Sequence, residues 1–412
     1  MAGRNILFVH QNFPGQFPHI GNGLLARGDR IVAIGGATAR GRSGIDLRRW
    51  TNTRSSTNGI LAEATRAEAD LIRARAVAIV AAQLKEEGFV PDIIIGHPGW
   101  GETLHLREIF PETPQIIFGE FYYGSRGRDV NFDAEFESWN LELAMRSGAK
   151  NATMALALTM ADRIVCPTPF QASTLPAVFQ PRIRVLHEGI DLGLAARRPG
   201  ARLTVPGGAT LDAATPVITF INRNFERLRG FHIFMRALPE FLAACPEAQV
   251  VLIGEDARGY GSVAPGGGSW KTHMLAELGD RIDPGRLHFM GRVDHDVMVD
   301  ALSISAAHVY YTYPFVLSWS LTEAMACECL VLASDTAPVR DAITDGVDGV
   351  LNDFFDVPAL SAAMIRAVRE PEAFTAMRAR AKTTAMARFD RATVGVPGWL
   401  ALIDEVLAEA SG

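Results

Sequence analysis

Apolar residues in this chain come in short runs set between longer stretches of helical character, the pattern of parallel sheets covered by helices on both faces. The runs of the first half lie at residues 5–10, 93–96, 116–118, 164–166 and 184–186. The pattern then starts afresh, at 217–221, 250–253, 287–289, 308–311 and 330–332. Between the two series, residues 192–215 are rich in Gly, Ala, Pro and Arg and read as a linker. The expected fold class is therefore α/β: two doubly wound, Rossmann-like parallel-sheet domains at 1–191 and 216–394, facing a central cleft. A C-terminal helix at about 395–412 is free to pack back on the first domain. In such sheets ligands lie beyond the carboxyl ends of the strands, which directs attention to the residues that follow each run.

Composition narrows the function classes. A chain of 412 residues, 48% hydrophobic and 21% charged, is ample for two cores. A net charge of −6 gives no reason to expect nucleic acid as a partner. The first 200 residues carry 22 Lys+Arg against 20 Asp+Glu, so that half is the better suited to an anionic surface. Its densest basic stretch, Arg40, Arg42, Arg48, Arg49 and Arg54, reads either as a solvated loop or as a peripheral contact with lipid headgroups. Four cysteines without zinc spacing predict reduced packing residues and no metal. No apolar run is long enough to span a bilayer, and the N-terminus passes directly into a strand, so the expected location is cytoplasmic, peripheral at most to the inner membrane face. Nothing in the chain speaks to oligomeric state.

Candidate chemistry gathers at the predicted strand ends. Around residues 313–326 a strand ends, turns and enters a helix. First-turn amides of a helix have no intrahelical partner and sit at the positive end of its dipole, so the backbone of Leu317, Ser318, Trp319, Ser320 and Leu321 suits a diphosphate. Glu323, one turn in, suits a ribose diol, or is simply an acid stabilised by the dipole. After the strand at 217–221 come Arg223 and Arg229, permanently charged and bidentate, in a loop that either meets a phosphate or is salt-bridged on the surface. Gly254 and Arg292 follow two further strands. The segment 258–270 is glycine-rich and is expected to be mobile. Asp294 and Asp296 read as helix caps.

In the first domain the turn after residues 5–10 has no G-x-G-x-x-G, which argues against a nicotinamide dinucleotide. It carries Gln11, Asn12, Gly15 and Gln16, as ligand contacts or as turn and cap residues. His97 and Trp100 follow the next central strand, and Glu120 and Tyr122 the one after. These are candidates for the acceptor side, with a histidine beside a flat indole that suits a sugar face.

The order of these pieces resembles glycosyltransferase family 4, of GT-B fold. The resemblance runs over most of the chain, through Glu323, Arg223 and Arg229 and through Phe8-Val9-His10-Gln11-Asn12-Phe13-Pro14-Gly15-Gln16-Phe17. It implies a retaining, metal-independent hexosyltransferase without a cofactor, using a nucleoside-diphosphate sugar of UDP or GDP type as substrate. The acceptor would be a carbohydrate, a lipid-linked group or a small molecule. By the same resemblance Arg223 and Arg229 contact the donor diphosphate, Gly15 and Gly254 lie under the nucleotide and its phosphates, Arg292 lies by the base, and His97 sits beside the transferred sugar. The family's first glutamate is absent: Phe315 stands there. That departure keeps open two alternatives, a GT-B sugar-nucleotide epimerase and a catalytically inactive nucleotide-sugar-binding protein.

Overall fold

The computed structural model describes residues 3–411. They form two compact units, one running to Gly189 and resuming at Arg391, the other spanning Ile190–Asp390. Among the described residues the first unit holds a seven-stranded sheet of β1 (Asn5–Val9), β2 (Arg30–Gly35), β3 (Ile45–Arg49), β4 (Ile93–Gly96), β5 (Gln115–Phe118), β6 (Arg163–Cys166) and β7 (Ile183–Val185). Its order is β3-β2-β1-β4-β5-β6-β7, parallel throughout. The central strands are buried on both faces, which is why they read as unbroken apolar runs such as Ile93-Ile94-Ile95. Strands β2 and β3 were not expected. Arg48 and Arg49 lie on β3 rather than in a loop.

One face of this sheet packs Phe8, Phe13, Phe17, Ile95 and Phe118 against Trp399 and Ile403 of the helix Val396–Ser411. Trp399 is fully buried, stacked 6.4 Å from Phe118 and edge-on to Phe17. Arg184 adds an ion pair to Glu405, and Arg27 one to Asp404.

The second unit holds β8 (Arg202–Thr204) and β9 (Thr210–Asp212), an antiparallel pair, then a parallel sheet of β10 (Val217–Asn224), β11 (Gln249–Glu255), β12 (Leu287–Gly291), β13 (Ala307–Tyr310), β14 (Val331–Ser334) and β15 (Val350–Asn352). The sheet order is β12-β11-β10-β13-β14-β15. Residues 192–215 are therefore no linker. Leu203, Val205 and Leu211 are buried in the core of this unit, and Arg198 pairs with Asp296 at 2.5 Å and Asp300 at 3.1 Å. Burying three apolar side chains outweighs the turn-forming composition that suggested a free segment.

The glycine-rich segment is also fastened. Gly261 donates its N–H to the buried Glu226 carboxylate at 2.7 Å, Trp270 Nε1 donates to the Ser262 carbonyl at 2.9 Å, and Ser269 Oγ to Asp256 at 2.9 Å. A Cβ on Gly259 would sit 2.6 Å from the Glu226 oxygens, so at this position glycine serves close approach.

Candidate functional site

In the second unit the chain leaves β10 for β11 on one side and returns to β13 on the other. That reversal opens a crevice at the carboxyl ends of the strands. It is a cavity of about 430 Å³, within the range of small-ligand sites. Its walls are Asn222 and Arg223 from the end of β10, Gly254 and Glu255 from β11, Arg292, Val293, His295 and Met298 after β12, and Ser318, Trp319, Ser320 and Glu323 at the start of the helix Trp319–Ala326.

The two arginines expected here part company. Arg223 is exposed on the cavity wall and, among the described residues, makes no hydrogen bond or ion pair. Arg229 does not line the cavity. It is buried, with Nη1 donating to Val316 O at 2.9 Å and Thr312 Oγ1 at 3.1 Å, and its guanidinium lies 5.5 Å from the Phe315 ring centre. Arg229 thus shapes the segment that leads into the helix start. Phe315 is buried between it and the ring of Tyr260, 5.6 Å away.

The helix-start amides are only partly available, a second departure from expectation. Ser318 donates its N–H to the Tyr310 hydroxyl at 2.8 Å, and the Leu321 N–H reaches the Ser318 carbonyl at 3.2 Å. Ser320 N–H makes only a long 3.4 Å contact with Ser318 Oγ. The side chain of Leu321 is core, and Leu317 packs against that core, so neither lines the cavity. Gly254 is required by space, since a Cβ there would lie 2.6 Å from the Asn222 carbonyl oxygen.

Glu323 does reach the cavity, and it is not alone. His295 Nε2 lies 2.8 Å from its Oε1, and this hydrogen bond raises the imidazole above its ordinary 6.5. Among the expected caps, Asp294 takes the N-cap position of the helix His295–Ile304 without a side-chain hydrogen bond, and Asp296 is engaged by Arg198.

The first unit reverses its strand order between β1 and β4, and a polar cluster stands at that point. Asn12 N–H donates to His10 Nδ1 at 2.9 Å, which places the ring proton on Nε2, 2.8 Å from Gln16 Oε1. Gln16 Nε2 in turn donates to Glu120 Oε1 at 3.1 Å. Gly99 N–H likewise donates to His97 Nδ1 at 3.0 Å, turning the other ring nitrogen toward Glu120 Oε2 at 3.6 Å. Burial, then the neighbouring His97, push His10 down to about 3, so it is neutral at any ordinary pH. Burial alone would raise Glu120, but the facing His97, with His10 and Gln16, holds its carboxyl below the usual range. The Trp100 ring closes the cluster, 5.0 Å from His97 and 5.4 Å from His10. Gly15 adopts φ +52°, and a Cβ there would strike His10 Nε2 at 2.2 Å.

Two family models match the chain, one described as glycosyl transferase family 4 group over residues 27–195, the other as glycosyl transferases group 1 over 215–370. The chain belongs to the family 4 glycosyltransferases. Among its relatives, D-inositol 3-phosphate glycosyltransferase of Mycolicibacterium vanbaalenii is 30% identical over 48% of this chain and 43% of its own. Phosphatidyl-myo-inositol mannosyltransferase of Propionibacterium freudenreichii is 29% identical over 44% and 41%. The match thus spans less than half the length of either relative. Sucrose-phosphate synthase from Thermosynechococcus elongatus superposes with a TM-score of 0.74 at 17% identity, over 98% of this chain and 100% of that one. Anabaena HepE, solved with UDP and glucose, gives 0.67 at 17% over 97% and 100%. These likenesses carry the GT-B fold.

Of the residues expected at the donor side, Arg223, Gly254, Arg292, Ser318, Trp319, Ser320 and Glu323 come together at one cavity, whereas Gly15 belongs to the other unit. Gln16, His97, Trp100 and Glu120 form the second cluster. Asn12 joins it through its backbone while its side chain accepts from Thr38, and Gln11 takes part in the turn by accepting the Gly36 N–H. Tyr122 is directed elsewhere, against the core around Leu158 and Phe179. Sequence reasoning missed His295 and Asn222. Only their positions just past, or at the end of, a strand pointed to them.

The basic stretch is largely engaged within its own unit: Arg48 with Asp46 and Glu87, Arg49 with the Gly36 and Ala39 carbonyls, and Arg54 with Glu68. Among the described residues no helix is long and apolar enough to cross a membrane, and no group of three His, Cys, Asp or Glu is placed to hold a metal ion.

Proposed function

We propose that the protein moves a hexosyl group from a nucleoside-diphosphate sugar to an acceptor hydroxyl, with retention of configuration and without a metal. The observation that carries this reading is the cavity at the strand reversal of the second unit. It places an unpaired guanidinium, Arg223, opposite a carboxylate one turn into a helix, Glu323, with a glycine where a backbone must pass closely. Glu323 holds the ribose hydroxyls. Arg223, with Ser320 N–H, meets the diphosphate and stabilises the charge that grows there as the anomeric carbon–oxygen bond breaks. The acceptor oxygen forms its bond on the same face, and its proton passes to a leaving phosphate oxygen, so no protein nucleophile is needed. The hydrogen-bonding side chains and the indole of the first unit suit a polyol. The inositol-containing acceptors in the relatives' names and the UDP bound to HepE support this pairing.

Phe315 favours a second reading, a protein that binds the donor and turns nothing over, because a buried ring occupies the position of the family's first acid. The deciding experiment measures free nucleoside diphosphate released from UDP- and GDP-sugars, with inositol phosphates and simple sugars as acceptors, with and without EDTA. Turnover in EDTA with an axial product from an axial donor is expected. Tight donor binding without release for any donor establishes the second reading, and activity restored only by Mn²⁺ or Mg²⁺ overturns the metal-free mechanism.

A further inference from the structure

We propose that His295 is a positioning residue for the nucleotide, holding one oxygen of Glu323 so that the other is presented to the ribose, and adding a proton-dependent positive charge beside the diphosphate. This rests on the donor reading above and assigns it a residue and a pH dependence.

His295 is the first residue of the helix His295–Ile304, and Glu323 lies early in Trp319–Ala326, so two helix starts meet at the cavity wall. The contact is direct, Nε2 to Oε1 at 2.8 Å, with the Glu323 side chain 15% exposed and the histidine 40%. A carboxylate already fixed through one oxygen loses less freedom on binding a diol than one that swings. The other ring nitrogen, Nδ1, has no partner among the described residues. In the neutral ring it accepts a hydrogen bond; in the protonated ring it becomes a second donor.

The charges around it are mixed. Its own helix offers Asp294 and Asp296, the latter engaged by Arg198, which also holds Asp300. The facing helix offers Glu323, the end of β12 Arg292, and the far walls Arg223 and Glu255. The hydrogen bond to Glu323 leads the groups that raise the imidazole, opposed by partial burial and, less, by Arg198. The ring therefore keeps its proton to higher pH than an ordinary imidazole, and an anion bound nearby raises it further. By linkage, binding is tightest where the ring is protonated and weakens as pH rises through its free-protein pKa, levelling off once the bound ring also loses its proton.

UDP-glucose is the probe, because its diphosphate diester does not titrate over this range, unlike the terminal phosphate of free UDP, whose second pKa is about 6; GDP-mannose is the alternative. Calorimetry from about pH 6 to about pH 9 should show wild-type affinity falling by up to about tenfold, the factor that one unit of pKa displacement on binding produces. His295→Gln, which still donates to Glu323 but never charges, should keep the high-pH affinity and lose the slope, and His295→Ala should bind more weakly at every pH. An unchanged slope in His295→Gln, or wild-type affinity in both variants, overturns the inference. If Glu323→Ala abolishes binding while the His295 variants match wild type, the donor reading stands and this one falls. If neither sugar nucleotide binds, both fall.

Discussion

The carboxyl ends of the two sheets have the same topology and opposite chemistry. In the second unit the crevice is open, and its cation, Arg223, has no partner among the described residues. In the first unit the corresponding place is filled by a chain of hydrogen bonds from Asn12 through His10 and Gln16 to Glu120, with the neutral His10 ring presenting its Nε2–H to Gln16. An unpaired guanidinium beside a cavity favours an anion, while a cluster built around the Glu120 carboxylate disfavours one beside it and accepts hydrogen bonds from hydroxyls. The same fold thus carries different chemistry in the residues that follow equivalent strands.

The sharpest way to break this contrast is Arg223→Ala. If it meets charge that develops in the transition state, kcat should fall about 10²–10³-fold, roughly 3–4 kcal/mol, with a smaller change in KM for the donor. Loss confined to KM would make it a docking residue. Arg229→Ala should instead lower thermal stability, since it empties a buried site that supports the Tyr310–Val316 segment.

Glu102 offers a separate test in the first unit. It is fully buried, neither carboxylate oxygen has a partner within hydrogen-bond distance, and burial lifts it from an ordinary 4.5 to about 7. The fold favours its protonated form. This contribution to stability is intact below about pH 4.5 and is lost as pH climbs through 7. Glu102→Gln should therefore raise stability at pH 8 by up to roughly 3 kcal/mol and change nothing near pH 4, read from denaturant midpoints. A destabilised variant at pH 8 would mean that the carboxylate is paired when charged.

Glu323→Ala should weaken donor binding by roughly tenfold to a hundredfold, about 1.5–3 kcal/mol for a hydrogen bond to a charged group, without altering KM for the acceptor. The smallest effect is screening: raising salt from about 50 mM to about 500 mM should weaken the donor several-fold and leave an uncharged acceptor unaffected. Equal salt dependence of the two would erase the proposed division of charge.

Most of the sheet strands were legible because a parallel strand buried on both faces must be an apolar run. Strand β3 was not, since Ile45-Asp46-Leu47-Arg48-Arg49 is an edge strand whose charges are met by Glu87 and by backbone carbonyls. The hairpin at 202–212 was hidden by a composition that marks turns equally well in linkers and in hairpins. At the site, residue types betrayed Glu323 and Arg223, because a carboxylate past a helix start and a guanidinium past a strand are recognisable locally. His295 was invisible for the opposite reason: its meaning comes from Glu323, 28 residues away in sequence and 2.8 Å in space. The occupied amides of Ser318 and Leu321 were equally beyond reach, depending on where a tyrosine hydroxyl and a carbonyl fall.

Trp399 has a consequence for biosynthesis. The groove it fills among Phe17, Phe118 and their neighbours belongs to residues translated before the second unit, yet the indole reaches the ribosome exit only after all of that unit has emerged. During that interval the nascent first unit carries an uncapped aromatic surface, a target for chaperones, and it closes only when the returning helix docks.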